Sequence, residues 1–548
     1  MAVTLSERDV RSSSRWMGFA VLAAGLALII LDGTIVGVAL PAIIDDLDLA
    51  LTEAEWVTSL YSVVFAALLL TSGRMGDRFG RRLMFLAGVV VFVGASLTAA
   101  GAADAGDLIA SRCVQGIGGA MVLPATLATV NAAFRGRERA TAFGIWGAVM
   151  AGAAAAGPLM GGWLTTSMNW RWIFLLNLPL GLVVLALGAR YVPETRGQEH
   201  SSGFDGWGLV ASALGLGLVV FGLIEGSSLG WVRPTQDCTV LGLTWPESAP
   251  VSVVAVALVI GTLTICLFLA VESHRALRGH SVILDLSLFR VSTFGWGNLT
   301  AATVAVGEFA LLVVLPLYLV FARQLTIMQA GWVLAAMALG AFVAGSQARR
   351  LSARFGPPRV VTVGLQIELL AAAVSALTIA STSEWVLAGL MAVYGLGLGL
   401  AAAQLTSTVL RDVPVDQSGT ASATQSTVRQ LGSALGAALA GTALAIGFTL
   451  TVPAHLAQVS GVTADDAVTM IDYMTGTAGG VIAMIRAKGT EGHFGVLGPQ
   501  VADALSDAFS QSVSGVIWVA AAFIALGVIG AMAVERSGRR TGDQRSGS

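Results

Sequence analysis

The chain has 548 residues, of which 55% are hydrophobic and only 12% charged, and its mean hydropathy is +0.79. A soluble domain carries about twice that share of charge, so the composition excludes a soluble globular protein and indicates a membrane protein with many spans. The formal net charge of −2 identifies no partner by itself.

Residues 1–15 are polar and arginine-bearing, and the first apolar run is of full spanning length. This pattern reads as a retained anchor behind a cytoplasmic tail rather than a cleavable signal. Segments of about 20 apolar residues cross a bilayer as helices. Fourteen are expected, at roughly 16–41, 56–73, 82–101, 107–131, 141–166, 172–192, 206–230, 251–271, 292–320, 327–348, 359–380, 385–410, 419–450 and 513–534. The fold class is therefore an all-α membrane protein. Arginines crowd into alternate connections, such as Arg74–Arg82 and Arg135–Arg139, while Asp45–Glu55 and Asp104–Asp107 lie between them. Basic loops stay inside, which puts both termini in the cytoplasm and the protein in the inner cell membrane. Two outer loops are long, 231–250 and 451–512. The second carries Asp465, Asp466, Asp472, Glu491, Asp503 and Asp507 and is expected to be solvated, with an amphipathic helix near 501–509.

The stretch between the second and third spans, Gly73-Arg74-Met75-Gly76-Asp77-Arg78-Phe79-Gly80-Arg81-Arg82, is short, glycine-rich and strongly charged. Gly76 and Gly80 allow a tight turn and close approach of another helix. Asp77 is placed to meet a neighbouring helix N-terminus, whose partial positive charge favours an anion. A second copy, Arg349-Arg350-Leu351-Ser352-Ala353-Arg354-Phe355-Gly356, follows at an offset of 276 residues. Val38-Ala39-Leu40-Pro41 and Val313-Val314-Leu315-Pro316 echo each other at almost the same offset. The echo relates the first span to the ninth. It implies a six-helix bundle at 16–192, two inserted helices at 206–271, and a second six-helix bundle at 292–534 that includes loop 451–512, with a cytoplasmic tail at 535–548. Repeats of this kind place substrate between the halves near mid-bilayer. Ala353 replaces Asp77 in the second copy, so the carboxylate is on one side only.

Ionisable groups inside a bilayer are costly and usually functional. Here they are Asp32, Arg112, Glu225, Glu308, Glu368 and Arg429. Asp32 in the first span and Arg112 in the fourth reach comparable depth and can pair, either as a packing device or as an acid whose proton affinity changes with its surroundings. Glu308 holds the repeat position of Asp32 and is a candidate for proton or cargo binding, or a carboxylate hydrogen-bonded between helices. Glu368 is a candidate cargo contact. Glu225 sits near the outer end of its span, where it can reach headgroups, and Arg429 reads as a local cap or a partner of Asp77. All five histidines fall outside the expected spans, so any proton coupling is expected to use carboxylates.

The fifth span carries Gly157-Pro158-Leu159-Met160-Gly161-Gly162. Its proline kinks a helix and its small residues let helix backbones approach. Gly395-Leu396-Gly397-Leu398-Gly399 lies within an apolar span with no strand before it, so it reads as packing. Lys488 is the only lysine, which excludes a Walker A phosphate loop and with it ATP as the energy source. Cys113, Cys238 and Cys266 are too scattered for a disulfide or metal site. No nucleophile–histidine pair falls in a span, so no enzyme, cofactor, metal or nucleic-acid partner is expected.

The Gly73–Arg82 loop resembles the helix 2–3 loop of the major facilitator superfamily of secondary transporters. The Asp32–Pro41 run, Arg112–Ala120, Gly157–Gly162, Asn169–Gly181 and Arg429–Gly436 extend the resemblance to the fourteen-helix drug:proton antiporter branch, over nearly the whole chain. The resemblance implies that Gly73, Asp77, Arg78, Gly80 and Arg81 latch the two halves on the cytoplasmic side. It implies that Gly157, Pro158, Gly161 and Gly162 form the helix-5 element of exporters. It also implies that Asp32 and Arg112 are the membrane acid and proton-handling arginine, and that small amphipathic drugs or antibiotics leave in exchange for protons. Gly37 stands where the family often has Asn, Ala153 where it often has Gly, and Glu308 belongs to no family motif. Rival readings are a same-fold exporter of a lipid, siderophore or metabolite, and a non-transporting membrane receptor.

Overall fold

The computed structural model describes residues 7–47, 49, 51–196, 205–240, 243–278, 280, 282–414 and 417–546. Seven helices come first: α1 (Glu7–Leu47), α2 (Leu51–Phe79), α3 (Arg81–Ala100), α4 (Ala105–Ala133), α5 (Gly136–Ser167), α6 (Arg171–Leu175) and α7 (Asn177–Tyr191). Helices α6 and α7 together make one span, Arg171–Tyr191. Next come α8 (Gly206–Leu229), a small antiparallel hairpin pairing β1 (Cys238–Val240) with β2 (Leu243–Trp245), and α9 (Val253–Leu277). The remainder is α10 (Ser292–Leu317), α11 (Ile327–Phe355), α12 (Pro357–Thr378), α13 (Glu384–Val409), α14 (Ser418–Leu456), α15 (Ala464–Gly476), α16 (Val481–Lys488) and α17 (Gly498–Ser546). Among the described residues, 13 helices are long and apolar enough to cross a membrane. Helix α5, with 32 residues, is not among those 13; it packs along α1 on one side and α11 and α13 on the other. Counting it gives the fourteen expected spans.

The internal repeat has a backbone basis. Gly80 ends α2 at φ 113° and Gly356 ends α11 at φ 85°. Both lie in the left-handed region that only glycine adopts without strain, and each lets one helix turn straight into the next. In the first copy a side chain on Gly80 would also meet the Glu194 carboxylate at 2.6 Å.

Helices α1–α7 pack on one another, as do α10–α14 with α17, while α8 fills the seam between α2 and α14 and carries α9 on its far face. The chain thus has a basic end, at Gly73–Arg82, and an opposite, acidic end. One apolar core crosses the seam at the basic end, where Phe134, Phe143 and Trp146 pack with Phe294, Val409 and Leu410. At the acidic end the two sets of helices keep separate cores, one around Ile35, Val57 and Phe174 and the other around Leu315, Phe448 and Phe509.

Two expectations are corrected. The 451–512 segment is not a solvated loop. Met470, Met474, Val481, Ile482, Val501, Leu505 and Phe509 are buried against α10 and α14, and α15 and α16 meet at a 117° bend over that end. The apolar spacing read as a separate amphipathic helix near 501–509 is the first part of α17. That helix is 49 residues long, about 73 Å at ~1.5 Å per residue, more than twice the ~30 Å hydrocarbon thickness. Helix extends into both terminal segments, with α1 beginning at Glu7 and α17 running to Ser546.

Candidate functional site

Five helices converge on Asp32. Arg112 Nη1 donates to Asp32 Oδ2 at 2.5 Å, while Gln115 Nε2 and Asn177 Nδ2 donate to Oδ1 at 3.1 and 2.7 Å. Ser96 Oγ accepts from both amides, at 2.7 and 3.1 Å. Arg112 also donates from Nε to the Val57 carbonyl at 3.2 Å, and its guanidinium lies 4.2 Å from the centre of the Tyr61 ring. Asp32 and Arg112 are each only 1% exposed. Such a pair is held by hydrogen bonds that satisfy its remaining valences, and removing one partner typically costs ~3–5 kcal/mol because a buried charge is left alone. The sequence pairing of Asp32 with Arg112 is therefore observed. Gln115, Asn177, Ser96 and Tyr61 were not anticipated. The available signals were the i, i+3 spacing of Arg112 and Gln115 on one face of α4 and the lone Asn177 inside an apolar span.

The helix-5 element abuts this centre. A methyl group on Gly157 would lie 1.9 Å from Thr34 Oγ1, and one on Gly161 would lie 3.0 Å from the Ile35 carbonyl oxygen. These glycines let α5 touch the α1 backbone two to three residues beyond Asp32. Gly162 faces open space, and the side chain of Pro158 lies outside the described residues.

At the basic end, Asp77 Oδ1 accepts from Arg81 Nη2 and Nε at 2.7 and 3.1 Å, while Oδ2 accepts from the Thr420 backbone N–H at 2.9 Å and from the Thr420 hydroxyl at 3.3 Å. Thr420 lies in the first turn of α14, whose N–H groups have no intrahelical acceptor, so the carboxylate completes that helix end as its charge predicts. Arg81 is 1% exposed and donates onward to the Ala128 carbonyl at 3.4 Å. A second bond across the same seam joins Asn131 Nδ2 to Ser418 Oγ at 2.8 Å. Gly73 and Gly76 are buried beneath this turn, and Arg78 is exposed.

Arg429 is neither a local cap nor a partner of Asp77. Its Nη2 lies 3.3 Å from Glu308 Oε2, joining α14 to α10. The reason is depth: Arg429 is eleven residues into α14, about 16 Å from the Asp77 contact end at ~1.5 Å per residue. Glu308 and Asp32 therefore do not share one centre; each is neutralised by its own arginine. Glu368 is fully buried on α12 beside Tyr394 of α13. Glu225 does not reach for headgroups: it is 3% exposed and accepts from the Ser228 hydroxyl at 3.1 Å. Glu272, expected just past the eighth span, is buried because α9 continues to Leu277, and it accepts the Ile283 and Leu284 N–H groups at 2.6 and 2.9 Å. Outside the spans, Asp46 Oδ2 accepts from the Trp170 indole at 3.0 Å and from Arg171 at 2.6 Å. Those bonds, the indole's first, hold its carboxyl below the usual carboxylate range.

Comparison with known proteins gives a consistent picture. Residues 22–437 match the model of the Major Facilitator Superfamily. A probable actinorhodin transporter of Streptomyces coelicolor is 31% identical over 440 residues, covering 78% of this chain and 72% of that protein. The puromycin resistance protein pur8 of Streptomyces alboniger is 33% identical, over 78% of this chain and 81% of its own length. The methylenomycin A resistance protein of S. coelicolor is 34% identical, over 80% and 86%. Among solved structures, the human organic anion transporter MFSD10 (TETRAN) superposes with a TM-score of 0.56 at 14% identity, covering 93% of this chain and 99% of that one, a likeness of fold.

Proposed function

This chain belongs to the Major Facilitator Superfamily, and we propose that it exports small amphipathic molecules of drug or antibiotic kind across the cytoplasmic membrane in exchange for protons. The observation that carries the reading is the buried Asp32–Arg112 pair, set beside the α5 glycines that contact the α1 backbone. A carboxylate held by an arginine changes its proton affinity when the arginine withdraws. The small-residue contact between α1 and α5 links that withdrawal to movement of the bundle. Relatives named for resistance to puromycin, methylenomycin A and methyl viologen support export of such compounds.

Transport proceeds by alternating access, with the bundles α1–α7 and α10–α14 plus α17 rocking about the central seam. With both termini cytoplasmic, the conformation described is closed to the cytoplasm by Asp77–Thr420 and Asn131–Ser418 and keeps separate cores toward the outside. Protons arriving from outside and cargo loaded from the inner side alternate on the membrane acids. A gradient of ~100 mV supplies about 2.3 kcal/mol per charge moved, without ATP. The test is Asp32→Asn in inverted vesicles under an imposed pH gradient. Puromycin-induced proton release is expected to fall to background, and release at the wild-type level would overturn the assignment.

A further inference from the structure

The two halves differ in how their buried acids are matched by base. In α1–α7, Asp32 faces one arginine and two hydrogen-bonding amides and is saturated. In the other half, two carboxylates, Glu308 on α10 and Glu368 on α12, lie within electrostatic reach of each other and of a single arginine, Arg429 on α14. Arg429 engages Glu308 at 3.3 Å. Glu368 is 0% exposed, and neither of its oxygens has a hydrogen-bond partner of good geometry. The Tyr394 hydroxyl is also buried and stands beside the Glu368 carboxyl, close enough to interact with it but without good hydrogen-bond geometry. Gly364 and Gly397 pack α12 on α13 so closely that a methyl on Gly397 would lie 2.5 Å from the Glu368 nitrogen, which holds the Glu368 backbone against α13. An ionised carboxylate left bare in such a place is so costly that the group neutralises instead. With one proton, the cluster of two acids and one base is neutral; the Asp32–Arg112 pair is neutral with none.

We propose that Glu368 is the residue carrying the exchanged proton in this conformation, with Glu308 and Arg429 as the gate through which the proton leaves. This rests on the antiport reading and names where the proton sits while Asp32 is held by Arg112. Arg429 has a side chain 35% exposed, and it sits on α14, whose packing against α2 and α4 spans the seam between the halves. When α14 moves, Arg429 turns from Glu308 to Glu368. The O–H bond on Glu368 breaks as one forms on Glu308, so the negative charge passes to Glu368 and Arg429 follows it. Glu308, itself 6% exposed, then gives the proton to water between the halves. The titratable groups facing Glu368 are Glu308 from α10, Arg429 from α14 and Tyr394 from α13.

The experiment is infrared difference spectroscopy of the full-length protein in nanodiscs, stepped from neutral to alkaline pH. The wild type is expected to show one buried carboxylic-acid C=O band, which Glu368→Gln abolishes while Glu308→Gln and Asp32→Asn retain it. A band that survives Glu368→Gln overturns the proposal, even if puromycin efflux still follows the pH gradient; the carrier and the antiport reading therefore fail separately. Should Glu368→Gln not fold, Tyr394→Phe decides. Removing the neighbouring hydroxyl is expected to shift the band, and an unmoved band overturns the proposal.

Discussion

Adding one methyl group at Gly157 should disable transport while leaving most of the fold standing. The methyl would lie 1.9 Å from Thr34 Oγ1, 2.7 Å from Thr34 Cβ and 3.3 Å from the Ile35 nitrogen. Rotating Thr34 relieves the first contact but not the second, because Cβ does not move with χ1. Ordinary contact begins near 3.4 Å, so α5 must retreat from α1 by about 0.7 Å even with Thr34 rotated, and overpacking of this kind typically costs ~1–3 kcal/mol. Gly162→Ala, five residues along the same helix and facing open space, is the matched control. Thermal unfolding in detergent and puromycin uptake into inverted vesicles read the two effects. Gly157→Ala is expected to lower stability by that amount and efflux by at least tenfold. Gly162→Ala is expected to match the wild type, and Gly157→Ala combined with Thr34→Ala to recover in part. Wild-type efflux from Gly157→Ala would refute the claim that α1 and α5 must touch backbone to backbone.

Asp77→Ala removes an anion from the start of α14, an interaction worth ~0.3–2 kcal/mol. Spin labels at positions 78 and 411 should show a larger population of long distances, and an unchanged distribution would remove Asp77 from the latch. Arg112→Ala strands the buried Asp32 carboxylate and should cost ~3–5 kcal/mol in thermal stability, more than any exposed arginine; a loss below ~1 kcal/mol would mean the pair is not sealed from water. The Asp46 carboxyl is depressed by its Trp170 and Arg171 bonds. Its contribution is therefore present above the unfolded carboxylate value and is lost as pH falls through the lower folded one. Asp46→Asn should flatten that acid limb of the stability curve, and an identical limb would show that the staple is idle.

Much of the fold was legible because bilayer thickness imposes it: span lengths, the glycine turns at Gly80 and Gly356, and the Asp32–Arg112 depth match each follow from one local rule. The partner of Arg429 was not legible, because helix depth depends on where α14 begins and on the tilt that packing gives it, and the sequence marks neither. Loop 451–512 was misread for a related reason. Its acids face water at Asp465 and Asp503 while Met470, Leu505 and Phe509 face the core, and composition averages the two faces. Gln115, Ser96 and Asn177 are uncharged, so intramembrane charge does not mark them, although the two amides bond Asp32 and Ser96 holds both amides.

The most direct measurement uses purified protein in sealed liposomes loaded with a pH-sensitive dye, under an imposed pH gradient and with membrane voltage clamped. Puromycin should accumulate against its own gradient while protons move the opposite way, and both fluxes should stop when a protonophore collapses the gradient. Undiminished accumulation after collapse would contradict proton-driven exchange.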